Sequence, residues 1–340
     1  MRVMRRRGLV ILCGLLVFGC AMKKKEVTMN ENFEKIGKVI KYDDALDKLV
    51  QSNSQGEILG SGYKWSEGPL ELEGIGVIFS DVPNNIIHLW SPKSGMSTYL
   101  QPSGYTSSIP RGGETGSNGL TLNPQGKLVL CQHGDRRMAM MDADLKNPQP
   151  KYFTLADKYD GKRFSSPNDA CYNKDGDLFF TDPPYGLEKQ ANDPTKEISF
   201  QGVYKVSKDG KVTLMVDSLT RPNGIAFMPD GKSVIVANSD PALPNWYIFD
   251  YDGTNFTNGR LFYSTKGHDK SLRGLPDGFK IDKNGNVFAT GPGGVYVFDK
   301  NGKKLGLLSL SDPTSNCALS KDQKTLYITN NNKFLRWKLR

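Results

Sequence analysis

The chain has 340 residues and a formal charge of +9, but four arginines fall within residues 1–19, and without that stretch the excess drops to about +5. The remaining basic residues are scattered and accompany no nucleic-acid motif, which excludes nucleic acid as a partner. No Pro-, Gly- or Ser-rich linker divides the roughly 285 residues from Glu57 onward, too many for one ordinary core.

The N-terminus reads MRVMRRRGLVILCGLLVFGC, with arginines, then the apolar run Leu9 to Phe18, then Gly19-Cys20. The apolar run falls short of the about 20 residues that a spanning helix needs. Residues 1–19 are therefore read as a signal peptide. The end of the run resembles a bacterial lipobox, which makes Cys20 the expected lipidation site and the protein an exported, envelope-anchored lipoprotein. Membrane contact is expected through that anchor only. Residues 20–55 read as a tether, with a short helix in YDDALDKLV (42–50), where Ala45, Leu46, Leu49 and Val50 share a helical face. Residues 56–340 form the folded domain.

That domain is built on a repeat. The clearest copy is SSPNDACYNKDGDLFFTDPPYG (165–186), a polar cluster, a strand, an Asp-Gly turn, a second strand and a polar loop. Markers of the same turn stand at Gly76, Gly126, Gly176, Gly231, Gly285 and Gln323, spaced 50, 50, 55, 54 and 38 residues apart. Such a period fits four short strands per unit and predicts an all-β fold, a six-bladed β-propeller with four-stranded antiparallel blades. Eight residues before their markers lie Asn118, Asn168, Asn223 and Asp277, with Asn316 seven before and Glu67 nine before. The innermost strand of each blade lines the channel, so these six side chains are expected to converge on the axis. Asp81, His133, Asp182, Tyr185 and Asn238 are expected at the same end. The segment Leu187 to Gln201 reads as a lid beside the ring.

Asparagine amides and carboxylates at one point suit a hard divalent cation, Ca²⁺ foremost, with Zn²⁺, Mg²⁺ or Mn²⁺ as alternatives. Outside the leader, Cys131, Cys171 and Cys317 read as small buried residues, a Cys171–Cys317 bond being left open. No extended apolar surface calls for a partner subunit, so a monomer is expected.

Eight blocks carry a family resemblance: SEGP (66–69), FSDVPNN (79–85), CQHGDRR (131–137), SPNDA (166–170), FTDPPYG (180–186), RPNGIAF (221–227), LPDGF (275–279) and ATGPGGVYVF (289–298). Over residues 43–338 the chain resembles the gluconolactonase and senescence marker protein (regucalcin) family. The resemblance implies a propeller that hydrolyses sugar lactones, such as D-glucono-1,5-lactone to D-gluconate, with one divalent metal. By motif, Glu67, Asn168, Asn223 and Asp277 match the metal ligands. Asp277 is the first choice of general base, or a ligand only, and His133 the second, as base or as a donor to substrate. Asn118, Asn168, Asp169 and Tyr185 are expected to contact substrate, with Asp182 and Arg136 as further candidates or loop supports. Hydrolysis of other esters or phosphotriesters, and a non-catalytic binding propeller held by calcium, are the alternative readings.

Overall fold

The reversal between the first two strands of each repeat carries the same backbone bond, from Gly126 N–H to Asn123 C=O at 2.8 Å in the second repeat and from Gly176 N–H to Asn173 C=O at 3.2 Å in the third. The two glycines sit at φ +75° and +87°, the left-handed region that a Cβ disfavours. The Asn123 and Asn173 side chains then accept from Lys127 N–H and Asp177 N–H, each at 2.8 Å, which pins the residue just before the next strand. The structure, a computed structural model, describes residues 32–340. The expected signal peptide and the expected lipidation site, Cys20, lie outside the described residues.

Six antiparallel sheets follow from these turns, and the chain is an all-β, six-bladed propeller. Blade 1 begins with Ser66–Leu72, blade 2 with Ser117–Leu122, blade 3 with Ala170–Tyr172, blade 4 with Pro222–Phe227, blade 5 with Phe279–Ile281 and blade 6 with Thr314–Leu319. These innermost strands touch their neighbours in turn, and the sixth touches the first, closing a ring. Blade 6 takes its outer strand Gly56–Ser61 from the start of the domain, where it pairs antiparallel with Lys333–Lys338. N-terminal and C-terminal chain thus complete one sheet.

The core is divided rather than single. Apolar clusters fill all six interfaces between blades, as where Val129, Cys131 and Met138 of blade 2 meet Phe180 and Tyr204 of blade 3. That division accommodates a chain too long for one core.

The tether expectation needs correction from residue 35 on. Lys35–Ile36 pairs with Gly56–Ser61, and Lys38–Lys41 pairs with Lys304–Ser309, so blades 5 and 6 each carry a fifth strand. The expected helix is a short 3-10 turn, Asp44–Lys48, capped by Asp43 accepting from Ala45 N–H at 2.9 Å. Leu46 and Val50 are buried in the cluster between blades 5 and 6, so burial of apolar surface docks this segment. Cys131, Cys171 and Cys317 are all free thiols, and the Cys171–Cys317 bond left open by the sequence is not formed. Among the described residues, no helix is long and apolar enough to cross a membrane.

Candidate active site

Hydroxyls stitch the ring together. Ser80 donates to Asn118 C=O at 2.9 Å, Thr181 to Asn223 C=O at 2.7 Å and Thr290 to Ser315 C=O at 2.9 Å, each from the second strand of one blade to the inner strand of the next. With the backbone carbonyl so fixed, the side chain at that position is aimed at the axis. A cavity of about 480 Å³ opens there, lined by Glu67, Asn118, Asn168, Asn223 and Asp277 from blades 1 to 5. Five of the six residues expected on the axis are brought together.

The sixth is not. Ser315, not Asn316, holds the corresponding position in blade 6, and its hydroxyl is spent on Ser66 C=O at 2.6 Å. Asn316 lies one residue deeper, where blades 1, 2, 4 and 5 carry Gly68, Gly119, Gly224 and Gly278 and blade 3 carries Asp169. Space explains the pattern, because a Cβ on Gly278 would lie 2.0 Å from the Asn316 side chain and one on Gly119 would lie 2.8 Å from Asp169 Oδ1. Two polar side chains fill the channel below the cavity, with Gly119 and Gly278 leaving room for them, while Gly68 and Gly224 allow close approach to the backbone of the next blade. Asp169, expected to contact substrate, is buried in this lower layer and does not line the cavity.

His133 also departs from expectation. It is fully buried, does not line the cavity, and faces Glu114 instead, with Nδ1 3.1 Å from Oε2. Packing dictates this, since the loop at Gly186 closes over it so tightly that a Cβ there would lie 2.7 Å from His133 Cβ. Glu114 does line the cavity, as do Trp65, Tyr185, Ser239, Arg273 and Leu275. Of these, only Tyr185 is among the candidates read from the repeat. Asp182 supports a loop, accepting from Ser165 N–H at 2.8 Å and Ser166 N–H at 2.7 Å. Asp81 and Asn238 clamp the matching loops of blades 1 and 4 in the same way.

Buried oxygen atoms define the chemistry. Oδ1 of Asn118, Asn168, Asn223 and Asp277 is in each case buried without a hydrogen-bond partner. The Asn223 amide is oriented by its own Nδ2 donating to Ser239 Oγ at 3.0 Å, which leaves Oδ1 turned away from that partner. Unpaired buried acceptors are costly, about 1–3 kcal/mol each, and several aimed at one cavity mark a place where a donor or cation belongs. Burial pushes the Glu67 carboxyl up to about 8, against one backbone bond from Gly68, and the charges of Asp169 and Glu114 push the same way. Asp277 is raised well above the usual carboxylate range, first by burial and then by Glu67 and Asp169. Two carboxyls and amide oxygens without partners fit a hard divalent cation, which would remove both penalties at once. Among the described residues no three His, Cys, Asp or Glu side chains gather as a metal-holding group, so a cation here depends on the amide oxygens.

Fold and site define a six-bladed propeller with an oxygen-lined cup on its axis. The chain belongs to the SMP-30/gluconolactonase/LRE-like family, whose region matches residues 65–332. It is 39% identical over 315 residues to a gluconolactonase of Zymomonas mobilis subsp. mobilis, covering 90% of this chain and 87% of that protein. A solved gluconolactonase from Xanthomonas campestris superposes with a TM-score of 0.77 at 28% identity, covering 90% of this chain and 98% of that one. A calcium-binding regucalcin from Agrobacterium tumefaciens superposes at 0.65 with 18% identity over 83% of this chain and 93% of its own, a likeness of fold alone.

Proposed function

We propose that this chain is a lactonase that hydrolyses a sugar lactone, D-glucono-1,5-lactone to D-gluconate foremost, in the axial cup and with one divalent cation, Ca²⁺ before Zn²⁺, Mg²⁺ or Mn²⁺. The observation that carries the reading is the set of unpartnered oxygens of Asn168, Asn223 and Asp277 beside the Glu67 carboxyl, on a chain 39% identical to a gluconolactonase. Glu67, Asn168, Asn223 and Asp277 are the residues that would hold the cation. When bound, it polarises the lactone carbonyl and stabilises the negative charge that develops there.

The chain's own groups supply the rest. Asp277, as a carboxylate at the edge of the cup, takes the proton from the attacking water and passes it to the ring oxygen, which leaves as the hydroxyl of the sugar acid as the acyl C–O bond breaks. Burial, and then the charge of Asp277, hold the Tyr185 hydroxyl in its protonated form, so with Asn118 and Arg273 it is a donor to sugar oxygens. Trp65 and Leu275 give the apolar wall against which a sugar ring packs. His133 acts through Glu114 as a positioning residue, not as a base.

The test is proton release from D-glucono-1,5-lactone by the purified chain, corrected for the spontaneous rate, beside simple esters and a phosphotriester. Preference for the lactone is expected. Turnover of the phosphotriester or esters alone would transfer the site to that chemistry, and no turnover of any would favour a binding propeller. Export and lipidation at Cys20 are proposed with it, and the lipoprotein is taken as a monomer. Fatty-acid label is expected on the wild-type chain and absent from Cys20→Ala; label that persists contradicts the anchor.

A further inference from the structure

A second cavity, of about 430 Å³, opens beside the axial cup and is lined by Arg111, Arg136, Arg163 and Lys189. Its other charged lining residues are Glu188 and Asp193, so four cations face two carboxylates in one recess. Among the described residues, neither carboxylate is in an ion pair with an arginine. Asp193 Oδ1 accepts from Thr195 N–H at 2.9 Å and Oγ1 at 2.6 Å, and its Oδ2 accepts from Lys189 N–H at 2.9 Å. The Glu188 carboxyl lies over Gly112, where a Cβ would come within 2.4 Å of it.

The three guanidinium groups are held by neutral carbonyls instead. Arg111 donates to Gly134 C=O and Gly186 C=O, and Arg163 Nη2 to Asp135 C=O at 3.3 Å. Arg136 donates to Phe164 C=O at 2.6 Å and Thr195 C=O at 3.0 Å, is only 4% exposed, and keeps a buried Nη2 with no partner. Among the described residues none of the three is in an ion pair. Burial disfavours the charge on Arg136, and the neighbouring Arg163 disfavours it further. Glu197 and Asp182 offset this in part from beyond ion-pair distance. A buried guanidinium with no ion-pair partner and an incomplete set of acceptors is disfavoured, and a bound anion would compensate it.

We propose that this recess is a second ligand site, for a small oxyanion, either a phosphate group or the carboxylate of a sugar acid. The planar fork of arginine matches both groups in bidentate fashion, and a recess of this volume takes a small molecule rather than a polymer. Its walls are shared with the axial cup. Arg111 and Gly112 line the recess while Glu114 lines the cup, and Leu187 lines the recess while Tyr185 lines the cup. A bound oxyanion therefore sits against both loops that carry cup residues. The site stands whether or not the cup is a lactonase.

The test is titration calorimetry of the purified full chain at fixed salt with inorganic phosphate and, separately, with gluconate. Saturable binding of at least one is expected. Arg163→Gln, which removes one donor from the rim, should weaken it by about tenfold or more. Asp277→Asn, which lies in the cup, should leave the tighter anion's affinity within a factor of about two, because it touches no recess residue. Tighter phosphate than gluconate assigns a phosphate group, and the reverse order assigns a sugar-acid carboxylate. Binding of neither, or binding lost in Asp277→Asn and kept in Arg163→Gln, overturns the proposal, the second result transferring the anion to the cup. Arg136→Gln read by thermal melting adds a check. The variant should lose the rise in Tm that the bound anion gives the wild type, and a rise that survives in the folded variant counts against the site.

Discussion

Asp277→Asn is expected to lower the turnover of the lactone by about a hundredfold to a thousandfold, the cost of losing a group that acts on developing charge or on the reacting water. The same substitution is expected to leave the metal-free chain as stable as the wild type, or more so. Asp277 Oδ1 makes no hydrogen bond, and burial together with Glu67 and Asp169 disfavours the charge. The isosteric amide keeps the volume and removes the repulsion. The backbone bond from Asp277 N–H to Thr290 C=O at 3.1 Å, which fixes the strand, is untouched. A cup selected for structure alone would show the reverse, full activity with a lower Tm. Measuring kcat and the Tm in EDTA on one preparation separates the two.

The second large effect is expected from cation and pH together. In the cation-free chain Glu67 holds its proton from its ordinary 4.5 up to about 8, whereas the unfolded chain releases it at the ordinary value. The folded state then binds more protons than the unfolded state across that window, so stability in EDTA should fall as pH rises from about 4.5 to about 8. Below the window the penalty is absent, and above it the penalty is constant. A bound cation favours the ionised carboxyls, so its affinity should rise across the same window and its binding should release protons. At a cation concentration about a thousand times Kd the added stability is about 4 kcal/mol. The gap in Tm between Ca²⁺ and EDTA should therefore widen from pH 5 to pH 8. A gap that is absent, or that narrows as pH rises, contradicts the carboxylate–amide cation site.

The ring was legible because the turn and the axial residue are joined by a short, rigid strand of nearly constant length. In one blade the marker slipped, and in another the count back from it did. In blade 1 the bond matching Gly126 N–H to Asn123 C=O is made by Ile75 N–H to Leu72 C=O, so Gly76 lies one residue late and Glu67 seemed displaced although it is in step. In blade 6 Gln323 N–H makes the matching bond to Ser320 C=O, and counting eight back reaches Ser315 rather than Asn316. The direction of His133 was not legible, because the face of a strand end is set by the loop packed on it, here the turn at Gly186. Glu114 and Arg273 stand in loops that join blades and have no counterpart in the other repeats, so no periodic signal marks them. The strands Lys35–Ile36 and Lys38–Lys41 are short and rich in lysine. Only the open edges of blades 6 and 5, formed some 20 and about 270 residues later in the chain respectively, make strands of them.

Proton release from D-glucono-1,5-lactone should be followed with the purified chain before EDTA, after it, and after restoring Ca²⁺, Mg²⁺, Mn²⁺ or Zn²⁺ one at a time. The expected result is activity that EDTA abolishes and Ca²⁺ restores in the wild type but not in Asp277→Asn. Lactone hydrolysis that continues undiminished in EDTA, from a chain shown to have lost its cation, would contradict a cation-dependent cup.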